Sequence, residues 1–210
     1  MKASNKQLIL KVTGIIAAAL LAVSCVQEPA KNFPFSGVWK QTDENMISSE
    51  KSEREIRVIC DGKRYRIESD SRNVEYSVHS IEIFDGQSLH TKSEITEGMA
   101  PPENGSFRKT SITEAEAKKT RDEWYNNPIP NFKKGPGGIV AGTETIFYEG
   151  VESRPDSEIR IQVWIDPKSG LVLKSVLQIY SKQVEQLIAR TTKECLSLQT
   201  GTVSESAFIP

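Results

Sequence analysis

From residue 55 onward, apolar and polar side chains alternate with a period of two. Glu55-Ile56-Arg57-Val58-Ile59-Cys60 runs into Asp61-Gly62 and returns as Lys63-Arg64-Tyr65-Arg66-Ile67-Glu68. Period-two alternation puts Ile56, Val58, Tyr65 and Ile67 on one face of a two-stranded ribbon. The Asp-Gly pair suits a tight type I′ turn, which needs positive φ at both central residues. A second copy follows: Ser80-Ile81-Glu82-Ile83-Phe84, then Asp85-Gly86, then Gln87-Ser88-Leu89-His90-Thr91. Two hairpins in series predict an antiparallel meander. The last third returns to strands over residues 139–148, 158–165, 171–180 and 184–198, with Asp166-Pro167-Lys168-Ser169-Gly170 as a turn. Ile159, Ile161, Val163 and Ile165 share one face, Arg160, Gln162 and Trp164 the other, and Leu171, Leu173, Leu177 and Ile179 continue the apolar side.

Residues 94–110, rich in Glu, Pro, Gly and Ser, break this pattern and predict an exposed loop. A helix over residues 111–125 follows. Ser111-Ile112-Thr113-Glu114 has capping-box spacing, and Glu114 and Lys118 stand at the i, i+4 separation that supports helix. Its apolar face is thin, with Ile112, Ala115 and Trp124, so it should lie over the surface or mouth of a sheet. Pro128, Pro130 and Gly135-Pro136-Gly137-Gly138 end it and read as a flexible segment. The fold class is α+β: a curved antiparallel sheet with a helix over part of its concave face.

The start of the chain follows another pattern. Lys2, Lys6 and Lys11 flank an apolar run at residues 15–23, and Leu21-Ala22-Val23-Ser24-Cys25 brings small side chains to its end. That is the layout of an export signal. The run is short for a spanning helix, which needs roughly 20 apolar residues. Its end resembles the lipobox of bacterial lipoproteins, with Ala22 where leucine is commonest. The resemblance implies cleavage between Ser24 and Cys25 and a diacylglyceryl group on the Cys25 thiol. Ordinary secretory cleavage and an uncleaved membrane helix are the alternatives. Val26 after the cysteine favours the outer membrane, facing the periplasm. Residues 1–24 are then a signal peptide, 25–36 a tether carrying two prolines, and 37–210 one domain with a real core.

Composition removes several function classes. A formal net charge of -1 with interspersed signs offers no basic footprint for nucleic acid. His79 and His90 each lie in a strand pattern without further ligands at metal spacing, so no metal is expected. No nucleophile elbow, HExxH, P-loop or dinucleotide fingerprint occurs, which argues against an enzyme and against a cofactor. With Cys25 lipidated, Cys60 and Cys195 remain as an even pair in an oxidising compartment. They form either a disulfide or two separately buried small hydrophobes.

Gly142-Thr143-Glu144-Thr145, the stretch Val163-Trp164-Ile165-Asp166-Pro167-Lys168-Ser169-Gly170-Leu171-Val172-Leu173-Lys174 and the ending Ala207-Phe208-Ile209-Pro210 resemble the LolA-like superfamily of outer-membrane lipoprotein-sorting proteins. The resemblance implies an unclosed antiparallel half-barrel around a hydrophobic cavity, with helical cover at its mouth. Ile56, Val58, Tyr65, Ile67, Ile161, Val163, Leu171 and Leu173 would line that cavity; read without the resemblance, the same stripe is a packed core. The implied function is a cell-envelope lipoprotein that binds a lipid or lipoprotein acyl group, in sorting or sensing. The alternative is a membrane-anchored protein-interaction module with a ligand-free core. Partners follow from these readings: the membrane through the N-terminal lipid, an acyl ligand, and an envelope protein.

Overall fold

The protein is described by a computed structural model covering residues 33–72, 76–98, 106–125 and 131–210. Its amino-terminal half contributes β1 (Phe35–Asn45), β2 (Glu50–Cys60), β3 (Tyr65–Arg72), β4 (Tyr76–Phe84), β5 (Leu89–Gly98) and the short β6 (Arg108–Thr110). Helix α1 (Glu114–Asp122) follows. The rest is β7 (Lys133–Val140), β8 (Thr143–Ser153), β9 (Ser157–Ile165), β10 (Val172–Ser181) and β11 (Gln186–Thr200), then a 3-10 turn at Glu205–Phe208.

All strands form one antiparallel sheet of order β6-β5-β4-β3-β2-β1-β11-β10-β9-β8-β7. Two meanders, one from each half, meet at the β1–β11 seam, and β6 and β7 are left as free edges. The sheet is therefore unclosed, and α1 belongs to the connection from one edge to the other. Adjacent strands lie ~4.8 Å apart, yet β7 returns to contact β11 with β8, β9 and β10 between them. Only a strongly curled sheet allows that. This is the curved, unclosed antiparallel sheet with a covering helix that the LolA-like resemblance implied.

Register carries the apolar stripe across the seam. Trp39 on β1 faces Ile56 on β2 and Cys195 on β11, while Gly37 faces Val58 and Val58 faces Ile67. On the far side Leu177 faces Ile161, which faces Gly150. The inner face holds two buried clusters: one around Phe35, Trp39, Val58, Tyr65, Leu171 and Leu173, the other around Ile159, Ile161, Val163, Ile165 and Leu177.

Turn chemistry departs from the sequence expectation in an instructive way. In the two Asp-Gly turns only the glycine has positive φ, 93° at Gly62 and 99° at Gly86. Neither aspartate is left-handed; each turn is instead held by the aspartate carboxylate, which accepts two backbone N–H bonds: Asp61 from Lys63 and Arg64, Asp85 from Gln87 and Ser88. The two positive φ values of a type I′ turn occur instead at Ala141 (49°) and Gly142 (77°). They split the strand expected over residues 139–148 into the β7–β8 hairpin, with Val140 opposite Thr143. Gly135-Pro136-Gly137-Gly138, expected to be flexible, belongs to β7, where an edge position leaves the missing proline N–H unneeded. β5 likewise runs to Gly98, into the expected loop.

Candidate functional site: the inner face beneath helix α1

Helix α1 starts at a complete capping box. Thr113 Oγ1 accepts from the Glu116 N–H at 3.2 Å, and Glu116 reaches back to the Thr113 N–H at 2.7 Å. Acidic residues occupy its first turn and basic ones its last, matching the helix dipole. The residues that it buries are Ala117 and Arg121. Arg121 is 7% exposed, donates to the Lys63 carbonyl at 2.6 Å and pairs with Glu114, fixing the helix over the β2–β3 turn. The apolar contribution of α1 itself is thus one alanine, set against a sheet face rich in large side chains.

The segment just after α1 is the true plug. Trp124 lies 4.9 Å from Trp39 between ring centroids, and Tyr125 meets Phe35 edge-on at 5.6 Å. Trp39 Nε1 donates to the Val172 carbonyl, and the Val172 N–H donates to the Trp124 carbonyl, so the start of β10 is held from both sides. Tyr125 bonds the Phe33 carbonyl through its hydroxyl, and burial holds its phenol well above the usual range. Tyr65 stacks on Phe84 and donates to Glu82 at 2.8 Å. The Trp124 indole N–H is buried without an acceptor.

A charged zone adjoins this aromatic cluster. Gln41 faces Lys193 on one side and Arg54 on the other, one inward step beyond Trp39. The Lys193 ammonium sits 3.3 Å from the Trp124 ring centroid. Its pKa is brought down to about 7, first by burial and then by Arg54, against the opposing pull of Glu123. Burial in turn pushes the Glu123 carboxyl up. On the same face of β1, Asp43 accepts from Gln41 at 2.9 Å and Thr191 at 2.7 Å.

The residues expected to line a cavity share the inner face but divide between its clusters. Ile56, Val58, Tyr65, Leu171 and Leu173 are buried beneath α1 with Ile67 packed against them, whereas Ile161 and Val163 belong to the second cluster. Two open clefts, of ≈ 510 and ≈ 380 Å³, gather around Asp61 and Arg64, and neither is lined by a stripe residue. Cys60 and Cys195, considered as a disulfide, are both free and buried. They lie on the two strands flanking β1, opposite Phe35 and Trp39 respectively. Two strand spacings plus four residues of offset exceed the ~7 Å Cα limit for a bridge. Trp164 packs on the opposite face against Phe147 and Lys174. His79 and His90 pair with Asp70 and Asp85. Ser24 and Cys25 lie outside the described residues.

Sequence reading missed Lys193, Arg54 and Trp39. The signal was present: Ala189, Thr191, Lys193 and Cys195 alternate onto one face, and Arg54 precedes Ile56 and Val58 at the same spacing. A cation at an inward position of an alternating strand marks a site that needs explaining.

No protein-family model matches the chain, and no curated protein matches it in sequence. Solved structures to which it is similar include the Pseudomonas aeruginosa MucA/MucB complex, at 18% identity and TM-score 0.43, covering 84% of this chain and 55% of that one. The chain thus spans little more than half of that relative. A DUF1329 family protein from Desulfovibrio piger matches at 13% identity and TM-score 0.32, over 95% of this chain and 96% of that chain. A LolA superfamily protein from Nitrosomonas europaea matches at 8% identity and TM-score 0.31, over 92% and 97% of the two chains.

Proposed function

We propose that this protein is a cell-envelope lipoprotein, anchored through Cys25 at the periplasmic side of the outer membrane, that binds a lipid or lipoprotein acyl group on the sheet's inner face beneath α1. The observation that carries this reading is the imbalance between cover and face. Helix α1 buries one apolar side chain, Ala117, over a surface that includes Val58, Tyr65, Phe84 and Leu173. Moving the helix forfeits little apolar contact, so the plug that a ligand must displace is the pair Trp124 and Tyr125 that follows it. An acyl chain taking its place gains ~0.8 kcal/mol for each CH₂ buried. A binding role, with no catalytic step, needs nothing more from the site. The lipid anchor would keep the domain at one surface, so it would receive, hold or sense its ligand there.

Purified protein, stripped of lipid, refolded and titrated with a fluorescent fatty acid, should bind it saturably, and the untreated protein should yield copurifying lipid by mass spectrometry. No acyl binding in either assay sinks the reading. Cys25→Ser should abolish labelled palmitate incorporation and release the protein from membranes; unchanged labelling removes the anchor.

A second reading has its own observation. The stripe is packed without a ligand, with Leu171 and Leu173 at 0% and Val58 at 1% exposure. A protein-interaction module with a structural core would look the same there. It would use the apolar tips at the other end of the sheet, where Met46, Ile47 and Val184 are exposed. Crosslinking in intact cells separates the two: one stable protein partner favours the module, capture of many lipoproteins favours acyl binding.

A further inference from the structure

We propose that Lys193 and Arg54 form an anion subsite beside the apolar stripe, taking the carboxylate or phosphate head of an anionic amphiphile whose chain lies along that stripe. The inference rests on the acyl-binding reading and specifies its ligand. Three independent features of the inner face lead to it.

First, the two cations are uncompensated. They flank Gln41 from β11 and β2, about 10 Å apart between Cα atoms for two strand spacings. Among the described residues neither makes a hydrogen bond or an ion pair; Lys193 has only the face of Trp124, and the Glu123 carboxylate stays beyond ion-pair distance. Asp43, two residues along β1, is already taken by Gln41 and Thr191. Both residues are half-buried; withdrawing even part of a cation from water without a partner is costly, and a like charge nearby adds to the cost. An oxyanion placed between them relieves both terms with charge-assisted hydrogen bonds.

Second, the cations border the apolar cluster directly. Lys193 is two residues from Cys195 and Arg54 two from Ile56, on the same face of their strands as Trp39. A ligand reaching both zones needs one charged end and one apolar end. Third, Trp124, whose ring caps Lys193, carries the buried indole N–H that has no acceptor. The same residue that closes the apolar cluster therefore covers the cation. Displacing it opens both together.

The test is a displacement titration of the purified protein, with a fluorescent fatty acid as probe and laurate, dodecyl phosphate, 1-dodecanol and inorganic phosphate as competitors. Laurate and dodecyl phosphate should both compete at least tenfold better than dodecanol, and inorganic phosphate should not compete. Lys193→Met, which keeps the stem over Trp124, and Arg54→Gln should each weaken laurate about tenfold, the loss of one charge-assisted contact, while leaving dodecanol unchanged. Equal competition by laurate and dodecanol, or unaltered laurate affinity in both variants, overturns the subsite and leaves the acyl-binding reading standing. Displacement by inorganic phosphate alone identifies a simple anion site and overturns the amphiphile. If neither laurate nor dodecanol binds, the acyl-binding reading falls and the subsite falls with it.

Discussion

The ammonium of Lys193 stands 3.3 Å from the ring centroid of Trp124, which joins the middle of β11 to the residues that follow α1. A cation stacked on an aromatic face is stabilised by ~0.5–2 kcal/mol, more when water is excluded. Here the same contact buries the charge, so the stack and the desolvation oppose one another.

That opposition should be visible in the pH dependence of stability. The folded-state pKa of Lys193 is lowered from 10.5 to about 7. Between those values the unfolded chain holds the proton more firmly than the folded one, so stability rises with pH through this window. Below pH 7 both states are charged and the full cost of burial remains. The buried thiols work the other way at higher pH, since Cys195 is pushed up to about 11 and Cys60 is also raised, both by burial. The informative quantity is therefore the difference between wild type and Lys193→Met in denaturant melts from pH 6 to 8.5. We expect the variant to be the more stable at pH 6 and its advantage to shrink as pH rises; a difference independent of pH contradicts this.

The capping box governs how firmly α1 covers the face. Thr113→Ala removes the acceptor for the Glu116 N–H and the hydroxyl that bonds its carboxylate. We expect a loss of about 1 kcal/mol. Hydrogen exchange across residues 114–122 should accelerate about fivefold, while the β1 and β11 amides keep their protection. Equal acceleration across the sheet would mean that α1 does not open separately.

Close packing at the second cluster gives another test. A Cβ added to Gly150 would run into the Phe132 ring. Gly150→Ala must displace that ring from the inner face beside Ile161, at a cost of about 1–3 kcal/mol. Gly135→Ala, where nothing lies within 4 Å, serves as the control. Equal midpoints for the two variants in chemical denaturation would show that Phe132 does not pack there.

Much of this fold was legible because period-two alternation fixes which residues share a face. Ile56, Val58, Tyr65 and Ile67 fell on one side as expected, and the Asp166 to Gly170 turn formed with Gly170 at φ 76°. The helix was legible but its start was not: the box forms two residues later than the expected Ser111–Glu114 pair, with Thr113 as cap and Glu116 reaching back to it, and α1 ends at Asp122. What else stayed hidden depends on long-range placement. Ala141 accepts a left-handed conformation because the β7–β8 pairing demands it. Pro136 lies in a strand because that strand is an edge. The cysteine separation follows from β1 lying between their strands. The Lys193–Trp124 stack joins positions from opposite sides of the β7–β10 meander, and no local window contains both.

Photolabelling reads most directly whether an acyl chain occupies the inner face. A diazirine-bearing fatty acid should be bound to the purified protein, irradiated, and its sites mapped by peptide mass spectrometry. We expect labels on peptides containing Ile56, Val58, Tyr65, Leu171 and Leu173, diminished by excess unlabelled laurate. Labels confined to the opposite face, around Trp164 and Phe147, or none that laurate displaces, would contradict acyl binding beneath α1.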